Sequence, residues 1–113
     1  MRRVGSDMSG ESITIFRTKV YRAVREVPSG KVTTYKRLAR RIRCRSCQAV
    51  GQALRHNPFA PRVPCHRVIA SDLTAGGFQG KTAGRAIRRK LALLAAEGVL
   101  FKDGRLADAS RLW

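Results

Sequence analysis

Residues 62–69, Arg-Val-Pro-Cys-His-Arg-Val-Ile, constrain the fold of this chain more than any other segment. Pro64 has a fixed φ and disfavours a helical Val63, so Cys65 must follow on an extended or turning backbone. His66 places a base beside the sulfur, and cysteine reacts as the thiolate. Because adjacent side chains rarely face each other, we expect His66 to reach Cys65 through a water molecule or a turn. The segment predicts a reactive cysteine, and a buried cysteine beside a hydrogen-bonded histidine is the alternative.

A large excess of positive charge limits the choice of partner. The 113 residues include 24 Lys and Arg against 7 Asp and Glu, which gives a formal net charge of +17. The basic residues are spread over several segments, and this favours nucleic acid over a membrane surface, which would need one basic amphipathic helix. No apolar run could span a membrane and residues 1–10 lack a signal-peptide core, so we expect an intracellular protein without membrane contact.

The three cysteines, Cys44, Cys47 and Cys65, are too few for the disulfide framework of a secreted protein. The spacing of Cys44 and Cys47 fits two free thiols, a local disulfide or half of a metal site. A zinc site would need Cys65 together with His66, and adjacent residues are awkward tetrahedral ligands. We therefore predict neither a metal nor a cofactor.

The length of the chain allows one domain with a modest core. Residues 1–12 are polar and contain Gly and Ser, so we expect a flexible N-terminal arm before a domain over residues 13–113. Apolar residues with helical spacing begin near Ile15, with Thr14 as a candidate N-cap. Residues 28–30, Pro-Ser-Gly, end this first helix and turn the chain.

Two short helices are predicted on either side of a turn over residues 43–46. Thr34 can cap the first helix, and Ser46 can cap the second, which covers residues 47 to about 55. This layout is typical of a helix-turn-helix, whose second helix recognises nucleic acid.

The second of these helices has two different faces. Val50 and Leu54 point to the core. The other face carries Gln48, Gln52 and Arg55. Small residues keep the helix thin, and the alternative is a surface helix that uses them for a packing contact.

The C-terminal half is predicted to contain a short buried strand at residues 68–69 and a glycine-rich loop or wing over residues 72–81. The last helix is predicted to begin after Thr82 and to end at Gly98, and a hairpin turn to follow at residues 103–104. The core stripe of that helix is Ile87, Leu91 and Leu94, and its basic side is Arg85, Arg88, Arg89 and Lys90. The predicted fold class is a mainly α-helical, winged-helix-like helix-turn-helix domain with short strands.

Four motifs occur in order along the chain: residues 30–35, Gly-Lys-Val-Thr-Thr-Tyr; 49–58, Ala-Val-Gly-Gln-Ala-Leu-Arg-His-Asn-Pro; 64–68, Pro-Cys-His-Arg-Val; and 93–99, Leu-Leu-Ala-Ala-Glu-Gly-Val. Together they closely resemble the O6-alkylguanine-DNA alkyltransferases, repair proteins that move an alkyl group from guanine O6 to their own cysteine. The resemblance covers roughly residues 16–99. It implies the DNA-binding and active-site domain, without the separate N-terminal domain that many members carry.

The resemblance implies a role for each matching residue. Cys65 accepts the alkyl group, His66 takes its proton through water, Glu97 orients the histidine, and Asn57 braces the turn before the nucleophile. A base inside a duplex is inaccessible, so the nucleotide must be flipped out. The residues expected to bind the flipped base are Tyr35, Val68, Phe78, Gln79 and Lys90. The residues expected to contact DNA are Thr34, Arg45, Gln48, Ala49, Gly51, Gln52 and Arg55.

The implied partner is double-stranded DNA that contains O6-alkylguanine, bound through the minor groove by a monomer. A thin helix suits a groove about 6 Å wide. The thioether product resists water, so each molecule is expected to act once.

Three departures from the family pattern affect lesion range and base extrusion. The wedge arginine before Ala-Val-Gly is Gln48 here, and Arg45 lies one turn earlier. The usual Tyr-Ser pair of the wing is Phe78 and Gln79. The segment between the wing and Lys90 is longer than is common in the family.

Two other functions compete with alkyl transfer. A non-catalytic alkyltransferase-like protein would bind damaged guanine, but such proteins usually replace the nucleophile, commonly with tryptophan, and Cys65 is present. A helix-turn-helix transcription regulator would explain the charge and leave the Pro-Cys-His-Arg motif unexplained.

Overall fold

The longest helix, α1, spans Val4–Arg25 in the computed structural model, which describes residues 4–59, 62–78 and 81–113, with side chains from Ile15 onward. The prediction that this helix begins near Ile15 was wrong. No proline interrupts residues 4–14, so the backbone can continue as a helix through this segment. Thr14 therefore lies inside α1 and not at an N-cap. The division into an arm and a domain at residue 13 stays a prediction, and Gln79 lies outside the described residues.

Helices α2, Tyr35–Arg41, and α3, Cys47–Arg55, form the predicted helix-turn-helix. Both predicted caps are confirmed, because the Thr34 hydroxyl accepts a hydrogen bond from the backbone N–H of Arg37 at 3.1 Å and the Ser46 hydroxyl accepts one from Ala49 at 3.0 Å. The predicted fold class is confirmed.

The core has two parts, one beneath the three N-terminal helices and one beneath the C-terminal half. The first includes the buried residues Val20, Val24, Leu38, Val50, Leu54 and Val68. The second consists of Val32, Ile69, Leu94, Val99 and Leu106. Val68 and Ile69 are adjacent in the chain, but Val68 packs into the first part of the core and Ile69 into the second. The segment after Cys65 is therefore held between the two parts.

Strands β1, Thr33–Thr34, and β2, Val68–Ile69, pair in parallel, with Thr33 opposite Val68. The predicted strand at residues 68–69 is thereby confirmed. Because α2 begins directly after β1, this pairing brings its first residue, Tyr35, beside the segment that carries the cysteine.

Helix α4 spans Arg85–Ala96 and begins after Gly84, so the predicted start after Thr82 was wrong. Gly84 has a φ of 80°, a conformation that glycine adopts readily and that ends the preceding loop. The predicted stop at Gly98 is confirmed. Lys90 was placed on the basic side of α4, and this was wrong, because its side chain is fully buried.

The C-terminal segment folds back onto the start of β1. A hairpin of β3, Phe101–Lys102, and β4, Arg105–Leu106, forms at the predicted turn. Val32 then donates its N–H to the Arg111 carbonyl at 2.9 Å and accepts from the N–H of Trp113 at 2.7 Å. No helix among the described residues is both long and apolar enough to cross a membrane.

Candidate active site and nucleic-acid interface

Cys65 is the first residue of a 3₁₀ turn, Cys65–Arg67, that follows Pro64. Its N–H donates to the Val63 carbonyl at 2.8 Å, and its side chain is half-buried against the first core. The thiol lines an open pocket of about 220 Å³ together with residues of α2, α3 and the glycine-rich loop. At Gly51 in the wall of this pocket, an added Cβ would meet no atom within 4 Å, so the pocket is open at this position.

The imidazole of His66 and the guanidinium of Arg67 share one carboxylate, that of Glu97. Nε2 of His66 lies 3.0 Å from Oε2 of Glu97, and Arg67 donates from Nε to Oε1 at 3.0 Å and from Nη2 to Oε2 at 2.9 Å. Burial acts to raise the pKa of Glu97, but the hydrogen bonds from Arg67 and His66 outweigh it and lower that pKa to about 2. An ionised carboxylate only accepts hydrogen bonds, so Nε2 carries a proton and Nδ1 of a neutral His66 is the basic nitrogen.

Arg67 is a site residue that was absent from the predicted set. Besides binding Glu97, it donates from Nη1 to the carbonyl of Val27 at 2.9 Å, beyond the end of α1. The signal was present in the sequence, because Arg67 belongs to the Pro-Cys-His-Arg motif itself. Its side chain joins the cysteine turn, the end of α1 and the end of α4.

Asn57 fixes the loop that leads to the cysteine. Its side-chain amide donates to the Val63 carbonyl at 3.0 Å, and its side-chain oxygen accepts from the N–H of Phe59 at 2.9 Å. The Val63 carbonyl also accepts from the N–H of Cys65. Asn57 therefore holds the backbone directly before the thiol.

The fully buried side chain of Lys90 is bound by protein carbonyls. Its Nζ donates to the carbonyl oxygens of Val68 at 2.6 Å, Ala75 at 2.5 Å and Gly77 at 2.9 Å. An ammonium has three donors, so all of its hydrogen-bonding capacity is used within the protein. Burial lowers the pKa of Lys90 to about 7, and the nearby Cys65 opposes this shift. Lys90 ties β2 to the glycine-rich loop, and the Val68 carbonyl, predicted to bind the base, accepts from Lys90.

Tyr35 and Phe78 lie in the wall of the cysteine pocket, where both were predicted to bind a base. The Tyr35 hydroxyl donates to the Gly77 carbonyl at 3.3 Å, and burial is the main cause that raises its pKa. Gly76 has a φ of 71°, and an added Cβ would lie 3.1 Å from the Tyr35 ring. The glycine-rich loop can therefore pack this closely on Tyr35 only because Gly76 has no side chain.

The predicted DNA-binding residues divide by exposure. Those that are exposed are Arg45, Gln48, Gln52 and Arg55. Ala49 and Gly51 are half-buried on the same helix. Thr34 is buried, and its hydroxyl caps α2, so it is not part of the exposed face of α3. Val50 and Leu54 are buried, which confirms the predicted core face.

Cys44, Cys47 and Cys65 are all free thiols in this structure. The Cys44 sulfur accepts from the N–H of Ser46 at 3.4 Å, in the turn between α2 and α3. Among the described residues, no group of three or more His, Cys, Asp or Glu side chains could hold a metal ion.

Residues 15–99 match the family model for the 6-O-methylguanine DNA methyltransferase, DNA binding domain. Methylated-DNA–protein-cysteine methyltransferases of Saccharolobus islandicus and Metallosphaera sedula are each 44% identical to the chain, over 84 and 87 residues. The alignments cover 74% and 77% of this chain and 51% of each relative. The chain thus spans about half the length of these curated relatives.

Solved structures of similar fold include one that the match covers almost completely and one that it covers by less than half. S. pombe Atl1, solved in complex with damaged DNA containing O6-carboxymethylguanine, has a TM-score of 0.76 at 34% identity, and the match covers 88% of this chain and 95% of that one. The O6-methylguanine-DNA methyltransferase of Pyrococcus kodakaraensis has a TM-score of 0.65 at 40% identity, over 74% of this chain and 46% of that one.

Proposed function

The chain belongs to the family of 6-O-methylguanine DNA methyltransferase DNA-binding domains, and on this premise we propose that it repairs O6-alkylguanine in DNA by transferring the alkyl group to Cys65. The observation that carries the proposal is the position of the thiol. Cys65 lines an open pocket, and the residue after it, His66, is held by an ionised Glu97. A buried structural cysteine would need neither the pocket nor the histidine–carboxylate pair.

The proton path starts at the sulfur. A water molecule carries the Cys65 proton to Nδ1 of His66, and Glu97 stabilises the imidazolium that forms. The thiolate attacks the alkyl carbon, a C–S bond forms, and the bond from that carbon to guanine O6 breaks with its electron pair left on the base. The departing guanine takes up one proton, which balances the one that Cys65 released. No cofactor is needed, and the stable thioether limits each molecule to one turnover.

Base extrusion precedes the chemistry. Helix α3 enters the minor groove with its exposed face, and the flipped base occupies the pocket between Tyr35, Phe78 and Cys65. The half-buried ring of Tyr35, in the wall of this pocket, offers a face on which a base can stack. Gln48 or Arg45 fills the gap that the flipped nucleotide leaves. Asn57 and Lys90 act as positioning residues, since Asn57 fixes the backbone before Cys65 and Lys90 fixes the glycine-rich loop. The partner is double-stranded DNA that contains O6-alkylguanine, and the protein acts as a monomer.

A second candidate function is lesion recognition without transfer. It is favoured by one observation: S. pombe Atl1, of which the match covers 95%, was solved in complex with DNA that still contains the damaged base, O6-carboxymethylguanine. A protein of this kind would bind the damaged base and leave it chemically unchanged.

The intact mass of the protein separates the two functions. After incubation with excess duplex that contains O6-methylguanine, we expect a gain of one methyl group per molecule and no further gain. An unchanged mass despite binding of the lesion would support recognition without transfer. The same duplex with unmodified guanine is the control, and it should leave the mass unchanged.

A further inference from the structure

Helix α4 carries positive charge that the proposed chemistry does not use. Arg85, Arg88 and Arg89 are exposed, and none of them forms an ion pair with an acidic side chain in the part of the chain that the structure describes. The helix itself, Arg85–Ala96, contains no acidic residue. Like charges without countercharges favour binding of an anion.

Two of these arginines share a groove with a lysine of the glycine-rich loop. Lys81, Arg85 and Arg89 line it, together with the small residues Ala83 and Ala86. Lys81 also lines the pocket that contains the thiol, so the groove and the pocket adjoin at this lysine. A ligand that extends from the pocket on this side therefore enters a groove lined by three cations.

We infer that Lys81, Arg85 and Arg89 form a phosphate track, which binds the backbone of the DNA strand beside the flipped nucleotide. The inference rests on the proposed function, because it takes its direction from a nucleotide in the pocket. Arg85 and Arg89 lie four residues apart on one helix face, with Cβ atoms about 5–6 Å apart. Phosphates on one strand recur about every 3.4 Å along the duplex axis, so the two long side chains can reach neighbouring phosphates.

The chemistry of the track favours phosphate over other anions. Arginine presents a planar fork of donors that matches a phosphate in two parallel hydrogen bonds. Ala83 and Ala86 place no bulk in the groove, so a sugar-phosphate backbone can come close to the helix. An acidic protein segment could bind to the same three cations, and the experiment below distinguishes such a partner from DNA.

The test compares two double variants that each remove two positive charges. Arg85→Ala/Arg89→Ala removes the arginines of the track, and Arg88→Ala/Lys102→Ala removes exposed charges outside the groove. Alanine is the best helix former, so the substitutions on α4 keep the helix. Affinity for a duplex with O6-methylguanine is measured over a range of salt concentrations. For the track variant we expect the slope of log affinity against log salt to be shallower by about 1.8, since each lost phosphate contact removes about 0.9.

The control variant should change this slope far less. Equal slopes for the two double variants would overturn the inference. Duplexes shortened on one or the other side of the lesion give a second measurement: shortening one side should weaken wild-type binding and have little further effect on the track variant. If shortening either side weakens both proteins equally, the track does not contact flanking DNA.

The outcomes separate this inference from the proposed function. If the wild type gains no methyl group but the slopes differ, the transfer chemistry fails and the track stands. If transfer occurs and the slopes are equal, only the track fails. If the track variant loses binding to a polyglutamate peptide while its slope with DNA matches that of the control, the surface serves an acidic protein partner and the inference is overturned.

Discussion

The guanidinium of Arg67 holds the carboxylate of Glu97 in two hydrogen bonds, from Nε at 3.0 Å and from Nη2 at 2.9 Å. The oxygen that receives the second bond is also the partner of His66. The orientation of the imidazole after Cys65 therefore depends on an arginine that lies one residue further along the chain. The same carboxylate therefore orients the imidazole of His66 and neutralises the charge of Arg67.

The first prediction concerns the stability that this carboxylate provides. Glu97→Gln should lower the free energy of unfolding by about 3 kcal/mol, because it leaves the charge of Arg67 in a mostly buried position without a counterion. The control is Glu26→Gln, which removes a carboxylate from an exposed ion pair with Arg41, where both side chains are about half exposed. Glu26→Gln should lower the free energy of unfolding by less than about 1 kcal/mol. Urea denaturation at neutral pH measures both free energies of unfolding. Equal decreases for the two variants would mean that the Arg67–Glu97 pair stabilises the fold no more than an exposed ion pair does.

The second prediction concerns acid. Because the pKa of Glu97 is lowered in the fold from 4.5 to about 2, its ionised form stabilises the protein above about pH 4.5. That stabilisation is lost as the pH falls toward 2, and it amounts to about 3 kcal/mol. The difference in unfolding free energy between wild type and Glu97→Gln should therefore disappear over this range. A difference that stays constant with pH would contradict the lowered pKa.

The third prediction concerns Lys90 and alkaline pH. Its pKa falls from 10.5 to about 7 on folding, so between these values the unfolded chain binds more protons than the folded protein. The free energy of unfolding should rise with pH over that interval, by up to about 1.4 kcal/mol per pH unit. Lys90→Met keeps an unbranched side chain and cannot titrate. Its unfolding free energy should rise less steeply with pH in urea denaturation, and parallel curves for the two proteins would contradict the shift.

The fourth prediction concerns the start of α3. Gln48 is exposed, and in related proteins an arginine is expected at this position to fill the gap in the duplex. Gln48→Arg should raise the rate of alkyl transfer more for a duplex than for a single strand, because only the duplex resists extrusion of the base. Gln52→Arg adds the same charge to the same exposed face and is the control. Equal acceleration on both substrates would show that residue 48 does not act as a wedge.

Local patterns in the sequence predicted the local structure well. Thr34 and Ser46 act as N-caps because a short hydroxyl side chain satisfies helix N–H groups that no tertiary contact needs to supply. The faces of α3 followed from helical spacing, and Gly98 ended α4. The family resemblance is confirmed by the match over residues 15–99. These features depend on few residues at short separation.

Features set by distant parts of the chain were harder to predict. Lys90 was assigned to a basic surface because three arginines precede it, and its burial depends on carbonyls of β2 and the glycine-rich loop. The contact of Arg67 with Val27 joins residues 40 positions apart, and no periodic pattern marks such a pair. The return of the tail to Val32 was not predicted for the same reason. The start of α1 was misplaced because polarity does not by itself prevent a helix.

The most direct test of the account is to locate the methyl group on the protein. Peptide mapping after reaction with O6-methylguanine duplex should find it on Cys65 alone, with Cys44 and Cys47 unmodified. Cys65→Ser should bind the duplex but gain no mass, because a hydroxyl is a far weaker nucleophile than a thiol at neutral pH. Cys47→Ser, which replaces another free thiol, should react like the wild type. A wild-type protein that binds the lesion and yields an unmodified Cys65 peptide would contradict alkyl transfer and leave recognition of the lesion as the function.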